Sequence, residues 1–363
     1  STTMYPFTWI SVSPADFVTG LPSASIIAPA NPELRWEKTY VSNLALDFGF
    51  LNNRLSGSVD VYRKNGKDLV YEFPINGTYG VTTLSRNSTT MTGKGVDAAL
   101  NAILLTNKDW EVASRVNYAY NTNNIDDTRF IPSSSFYASP AYGSLLAGYP
   151  SDKVFVYRNA GLDAAGLTLV YDEKGNKLSA NQNVTNVAAL KYVGRNTPSH
   201  FGSFVQSVRY KDFTLMAVAS YQFGSVFLKP TVSSYSSSRL GVRYDLHEDV
   251  AKRWQKAGDE ATTNIPGMAG TFAATSLLRY QQSDVNVQKG DYVRLRELSL
   301  SYKIPTEKIT SKIKGATFAF NVRNLGLLWT ANKEGLDPDV LPNLSSTTLG
   351  LPATVSYNFS LNL

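Results

Sequence analysis

The sequence predicts an all-β protein that crosses a membrane as an antiparallel β-barrel, and three observations carry that prediction. First, the last eleven residues alternate without a break, with Val355, Tyr357, Phe359, Leu361 and Leu363 on one face and Thr354, Ser356, Asn358, Ser360 and Asn362 on the other. A soluble strand runs about five or six residues, whereas a tilted strand crossing a bilayer needs about 9–11 with one face in lipid. Second, similar alternating segments recur along the chain, joined by connections that are short, then long, then short again. Short turns alternating with long loops are the asymmetry of an outer-membrane barrel. Third, no apolar run of about eighteen residues occurs, which excludes helical spans. Because lipid supplies no hydrogen-bond partner, membrane strands must pair into a closed barrel.

The elements follow in order. Residues 38 to 50 place Leu44, Leu46, Phe48 and Phe50 on one face; Leu51-Asn52-Asn53-Arg54 turns the chain; Leu55, Gly57, Val59 and Val61 resume the apolar face. A second hairpin sets Val96, Ala98, Leu100, Ala102 and Leu104 outward, turns at Thr106-Asn107-Lys108-Asp109, and returns with Trp110, Val112, Val116, Tyr118 and Tyr120 outward. In the third, Phe204, Val208 and Tyr210 pass through Lys211-Asp212 to Phe213, Leu215, Ala217, Ala219, Tyr221 and Phe223. Residues 291 to 303, then Ala316 to Asn324, then the terminal run complete nine strands. Long connections are expected at about 66–92, 123–200, 225–290 and 325–352, rich in Ser, Asn, Gly, Pro and Tyr. With Leu363 in the periplasm, every short turn is periplasmic and the long loops and residues 1 to 36 are extracellular. Trp110, Phe213, Tyr302 and Phe50 then mark the periplasmic girdle, and Tyr118, Tyr120, Tyr221 and Phe223 the outer one.

Bacterial single-chain barrels close with an even strand number, so nine strands, the first of them entering from outside, are expected to be part of a larger barrel completed upstream of Ser1. The segment Ser1-Thr2-Thr3-Met4-Tyr5 has neither a basic nor an apolar leader region. The export signal is therefore expected to have been removed or to lie upstream. The chain has 363 residues, 43% hydrophobic, with a mean hydropathy of −0.19 and no cysteine. A lack of cysteine suits passage through an oxidising periplasm. A net charge of +6 is spread along the chain without the dense basic stretches that track phosphate backbones, so no nucleic-acid partner is expected.

Several segments resemble the C-terminal part of the SusC/RagA-type TonB-dependent transporters: NPELRWEKT (Asn31 to Thr39), LDFGFLNNRLSGSVDVYRKNGKDLV (Leu46 to Val70), GYPSDKVFVYRNAGLD (Gly148 to Asp163), DYVRLRELSLSYKIP (Asp291 to Pro305), NVRNLGLLWTANKEGLDPDVLPN (Asn321 to Asn343) and LGLPATVSYNFSLNL (Leu349 to Leu363). They span nearly the whole chain. The resemblance implies a 22-stranded barrel, the size class that holds an internal plug. It also implies a SusD-like lipoprotein cap and import of oligosaccharides or oligopeptides, energised by TonB-ExbB-ExbD acting indirectly through the plug. The sequence shows no plug, TonB box or early barrel strands, so energy coupling falls on no residue here.

With only His200 and His247 and no cysteine, no catalytic group, metal site or cofactor is expected. Asp337 and Asp339 in GLDPDVLPN read as a structural turn, with a calcium loop as the alternative. Residues His247 to Lys256, with Val250, Ala251 and Trp254 at helical spacing, read as a short extracellular helix whose Trp254 packs in its own loop or contacts the lid protein. Lumen-facing Arg115, Asn117 and Asn121 and the loop group Tyr149, Tyr157, Arg158 and Asn159 are candidates for substrate, because tyrosine stacks on sugar rings and Asn and Arg bond hydroxyls and peptide groups. The alternative is that they solvate the channel and pack the loops. Tyr357, Phe359, Leu361 and Leu363 match the terminal signal read by the barrel assembly machinery. A passive porin, a soluble glycan-binding surface module and a secreted hydrolase remain as other classes.

Overall fold

The computed structural model describes residues 7–128, 132–142, 145–232, 247–268, 270–305, 315–340 and 353–362. Its organising element is one nine-stranded antiparallel sheet. The strands are β1 (Lys38–Phe50), β2 (Leu55–Pro74), β3 (Thr83–Thr106), β4 (Trp110–Thr128), β5 (His200–Tyr210), β6 (Phe213–Phe223), β7 (Tyr292–Ile304), β8 (Ala316–Thr330) and β9 (Ser356–Asn362). Each pairs with its sequence neighbour, so β1 and β9 are the two edges. All nine expected strands are present, although the terminal one is shorter than expected, with Ala353 to Val355 outside it. Leu363, the last residue of the expected terminal run, lies outside the described residues, as do 341–352 of the last long connection. Among the described residues no helix is long and apolar enough to cross a membrane.

Register converts the period-2 pattern into two walls. On the outward face one rung runs Trp110, Tyr210, Phe213, Tyr302, Phe318 across five strands. Neighbouring rings lie close, with Trp110 to Tyr210 at 4.4 Å and Phe213 to Tyr302 at 4.5 Å between centroids. Further from the turns, Tyr118, Tyr120, Tyr221 and Phe223 form a second belt; the Tyr118 hydroxyl meets His200 Nδ1 at 2.8 Å, and Phe223 lies 6.2 Å from Trp329. Between the belts stand Val112, Val208, Leu215, Leu300 and Phe320 in one rung and Val116, Phe204 and Ala219 in another. A polar pair in this band satisfies itself: Ser114 Oγ donates to Gln206 Oε1 at 2.6 Å, and Gln206 Nε2 donates to the Ala113 carbonyl at 3.1 Å. That is the condition on any polar side chain held in lipid.

The short connections share one end of the sheet. At the first, Leu51, Asn52 and Asn53 all take positive φ (54°, 55° and 63°). Asparagine tolerates that region better than most residues, which is why the turn was readable. The turns brace each other, with Lys211 N donating to Asp109 O at 2.6 Å and Lys303 N to Asp212 O at 2.8 Å. Close cross-strand packing fixes one glycine: a Cβ on Gly95 would lie 2.4 Å from the Tyr62 ring and 2.5 Å from the Tyr120 carbonyl.

Several expected bounds shift: β4 runs to Thr128 and β8 to Thr330, so the connections placed at 123–200 and 325–352 start later. The connection placed at 66–92 is mostly paired strand: β2 runs to Pro74 and β3 starts at Thr83, leaving only 75–82 between them. These extensions project beyond the apolar band, and apolar residues such as Val70 and Tyr71 fall on both faces, so no alternation marks them. A bulge between Ile103 and Leu105 puts Leu105 opposite Val112, so it is Leu105 and not Leu104 that continues the paired outward register. Residues 1 to 36, expected to be extracellular, contain Trp9–Ser13 and Ser23–Ala28, which pair as a small antiparallel sheet.

Candidate functional site

The inner face of the sheet is polar and its side chains bond across strands. Arg115 Nε donates to Asn101 Oδ1 at 2.6 Å, Asn117 Nδ2 to Ser203 Oγ at 3.0 Å, Asn121 Nδ2 to the Tyr62 hydroxyl at 3.1 Å, and Arg323 Nε to Glu297 at 2.9 Å. Asp60 and Asp97 stand directly opposite each other, and among the described residues neither is in an ion pair. Thus Arg115, Asn117 and Asn121 do lie together on one hydrated wall, each partly engaged by a neighbour.

Over the end of the sheet away from the turns, the two longest connections fold into a single body. Lys153–Tyr157 pairs with Leu190–Arg195, Val226–Leu228 pairs with Val287–Lys289, and helix Ala273–Gln281 packs against strand Thr168–Tyr171. The core joins Phe136, Phe155, Tyr157, Val170, Val184 and Leu190. The connections are stitched together by Thr168 N donating to Ser276 Oγ at 2.7 Å, Tyr157 N to Gln282 O at 2.9 Å and Arg279 to Ser179 O at 2.7 Å. Between them lies a cleft of about 610 Å³ lined by Ser134, Tyr137, Asn183, Thr185, Thr275 and Leu278, with Tyr157 and Arg279. Sequence reading missed Tyr137, Asn183, Thr185 and Thr275, because no local pattern brings residues of separate connections to one cleft.

That body changes the reading of the loop candidates. Tyr157 is only 2% exposed, its hydroxyl donates to the Tyr137 carbonyl, and burial, opposed by the charge of Arg279, pushes its pKa up to about 12. Arg158 is spent on the carbonyls of Ala189 and Asp172, and Asn159 Oδ1 accepts Gly161 N at 2.8 Å. Tyr149 packs edge-on to Phe155 and Tyr192 at 5.0 and 5.2 Å. These four residues help build the loop body, and Tyr157 also lines the cleft.

Trp254 packs within the loops, and the helix expected around it is shorter. Its helix is a 3-10 turn, Glu248–Lys252, which ends before it. A Cβ on Gly166 or Gly267 would strike the indole ring at 2.3 or 2.8 Å, and Nε1 donates to Glu260 at 3.0 Å, so the ring is packed within this chain. Asp337 and Asp339 behave as the turn reading expects and add a clamp: Arg294 holds Asp337, Arg296 reaches Asp339 at 2.8 Å, and the Tyr292 hydroxyl donates to Asp339 at 2.8 Å. Burial pushes the Asp339 carboxyl up, but the Tyr292 and Arg296 bonds and the two arginine charges outweigh it and hold the pKa below its ordinary value. With both carboxylates neutralised by arginine, a calcium loop has no charge left to offer.

Lys153 is a buried cation of the body, 2% exposed. Burial, opposed by the charge of Asp152, lowers its pKa from 10.5 to about 8. Between those values the unfolded chain binds the proton and the folded body does not, so this group makes stability rise with pH across that window, with its penalty complete below it. Resistance of the loop body to limited proteolysis is therefore expected to rise from pH 7.5 to pH 10 in the wild type more than in Lys153→Met; equal slopes would refute the assignment.

An apolar outer band between two aromatic belts and a hydrated inner wall define a transmembrane β-barrel wall, with a folded cap on one rim. The family model described as TonB dependent receptor-like, beta-barrel, matches residues 4–233, and the chain belongs to that family. TonB-dependent receptor P3 of Formosa agariphila is 25% identical over 360 residues, covering 92% of this chain and 35% of the relative. TonB-dependent receptor SusC of Bacteroides thetaiotaomicron is 23% identical, covering 92% and 32%. The structure of the RagAB peptide importer in its closed-closed state superposes with a TM-score of 0.73 at 23% identity, covering 98% of this chain and 38% of that one. The chain thus spans about a third of the length of the curated relatives it matches. Its family places it in the outer membrane.

Proposed function

We propose that this chain forms part of the wall and outer mouth of an active importer of oligosaccharides or oligopeptides. The carrying observation is the continuous hydrated wall of Arg115, Asn117, Asn121 and Glu297 leading away from a cap built by two connections. A loop body with its own core keeps a fixed shape at the rim, as a docking surface for a SusD-like lipoprotein requires. The turns face the periplasm and the cap faces outward. Strands β1 and β9 leave ladder groups that cannot stay open in lipid, so the wall closes with further strands of the same transporter, whose plug couples to TonB-ExbB-ExbD.

The cleft between the connections, with Tyr137, Asn183, Thr185 and Thr275, is the receiving site for cargo. Its aromatic and hydroxyl groups suit sugars and peptide backbones alike. The test is uptake by cells expressing the intact transporter, with labelled oligosaccharides and peptides supplied separately, with and without TonB. Uptake that persists without TonB would make the protein a passive porin, and failure of any lipoprotein to co-purify would remove the lid.

A further inference from the structure

We propose that the outer rim of the wall carries a binding site for the phosphate groups of an anionic glycolipid, built on Arg63 and Lys94. On β2, β3 and β4 the outward apolar column ends in one rung, Val61, Val96 and Tyr120. One rung further from the turns, the same face presents Arg63 opposite Lys94, and Lys94 opposite Thr122. Two exposed cations therefore stand on neighbouring strands just beyond the aromatic belt, on the side away from the lumen.

Like charges directly across a ladder repel, and among the described residues neither is in an ion pair. Arg63 Nε donates only to Asn65 Oδ1, at 3.3 Å. A cleft of about 510 Å³ opens at this place, where Tyr120, Thr122 and Pro150 join the two cations. Asp126 lines it too, bonded to the Thr92 hydroxyl and, at 3.3 Å, to Asn124 Nδ2, so one carboxylate faces two cations.

A phosphate resolves the repulsion, since guanidinium and ammonium groups both bond its oxygens. The depth selects a lipid as its source. Acyl chains lie along Val61, Val96 and Leu100 while the headgroup reaches the next rung, an arrangement that a free ion gains nothing from. The inference rests on the proposed orientation, with this rim in the outer leaflet; labelling Tyr79→Cys on intact cells reads that orientation independently.

The test uses the intact outer-membrane protein in nanodiscs, with lipid A, dephosphorylated lipid A and inorganic phosphate as probes and native mass spectrometry as readout. At about a tenfold change per 1.4 kcal/mol and about 1 kcal/mol per basic residue at a lipid surface, R63Q/K94Q is expected to retain about thirtyfold less lipid A than wild type. K108Q, which removes a charge at the opposite end, should retain as much as wild type. Equal retention by R63Q/K94Q, or by wild type of the dephosphorylated lipid, overturns the proposal. So does displacement of lipid A by an equal concentration of inorganic phosphate, which would mark a site for the free ion. If R63Q/K94Q does not fold, the wild-type comparison of the two lipids still decides.

Discussion

Deleting Phe359 to Leu363 is expected to abolish assembly of the barrel, whereas Ser360→Ala leaves it unchanged. Among the described residues β9 pairs with β8, through Phe318 with Leu361 and Phe320 with Phe359, whose rings stack at 4.7 Å. Without it, the ladder groups of β8 face hydrocarbon, at several kcal/mol for each unsatisfied group. Ser360 faces the hydrated side, opposite Ala319, where losing a hydroxyl costs little. A second effect acts in the same direction: Tyr357, Phe359 and Leu361 lie on one exposed face, available to assembly machinery before insertion. Heat-modifiable mobility of outer-membrane fractions reads assembly directly. The two contributions separate in Phe359→Asp, which keeps the backbone ladder but loses the apolar face; if that variant assembles as well as wild type, the residue has no part in recognition.

The wall was legible because lipid imposes a rule on every second residue. From Leu44 to Phe50 and from Phe213 to Phe223 every second residue is apolar or aromatic, and strand bounds follow to within a residue. Beyond the bilayer the rule lapses. The strand extensions Arg63 to Pro74 and Thr83 to Thr92 mix polar and apolar residues on both faces, so they read as loop although most of their backbone is paired. The bulge at Ile103 to Leu105 was equally hidden, since three consecutive apolar residues fit either register.

The loop body was illegible for a different reason: its order comes from contacts between distant segments. Thr168 meets Ser276, and Asn159 meets Asp284, across connections that separate strands interrupt. Tyr157 and Arg158 had the chemistry of a sugar site, and nothing local distinguishes a tyrosine that will stack on cargo from one that fills a core. Burial, which is tertiary, puts Tyr157 in the core and on the cleft wall at once. The lumen residues kept their expected setting because the strand pattern alone fixes which way Arg115, Asn117 and Asn121 face.

Where body meets wall, one buried ion pair holds the joint, and Arg195→Met should release it. Arg195 Nε lies 2.9 Å from Asp152, with side chains 11% and 13% exposed, and its NH1 group donates to the Asn121 carbonyl of β4 at 2.8 Å. Removing one partner of a buried pair leaves a stranded charge at a cost of about 3–5 kcal/mol, while removing both for apolar groups is close to neutral. The clamp is local, so the loss falls on opening of the loop body and not on the barrel; protease cleavage of the cap should rise about a hundredfold or more. Asp152→Leu alone should be worse, because Asp152 also offsets the burial of Lys153. Arg195→Met combined with Asp152→Leu should recover part of the loss of either single change. Heat-modifiable mobility should stay intact in all three variants, while cargo uptake follows cap stability. Additive losses in the double variant would show that the two residues do not act as a pair.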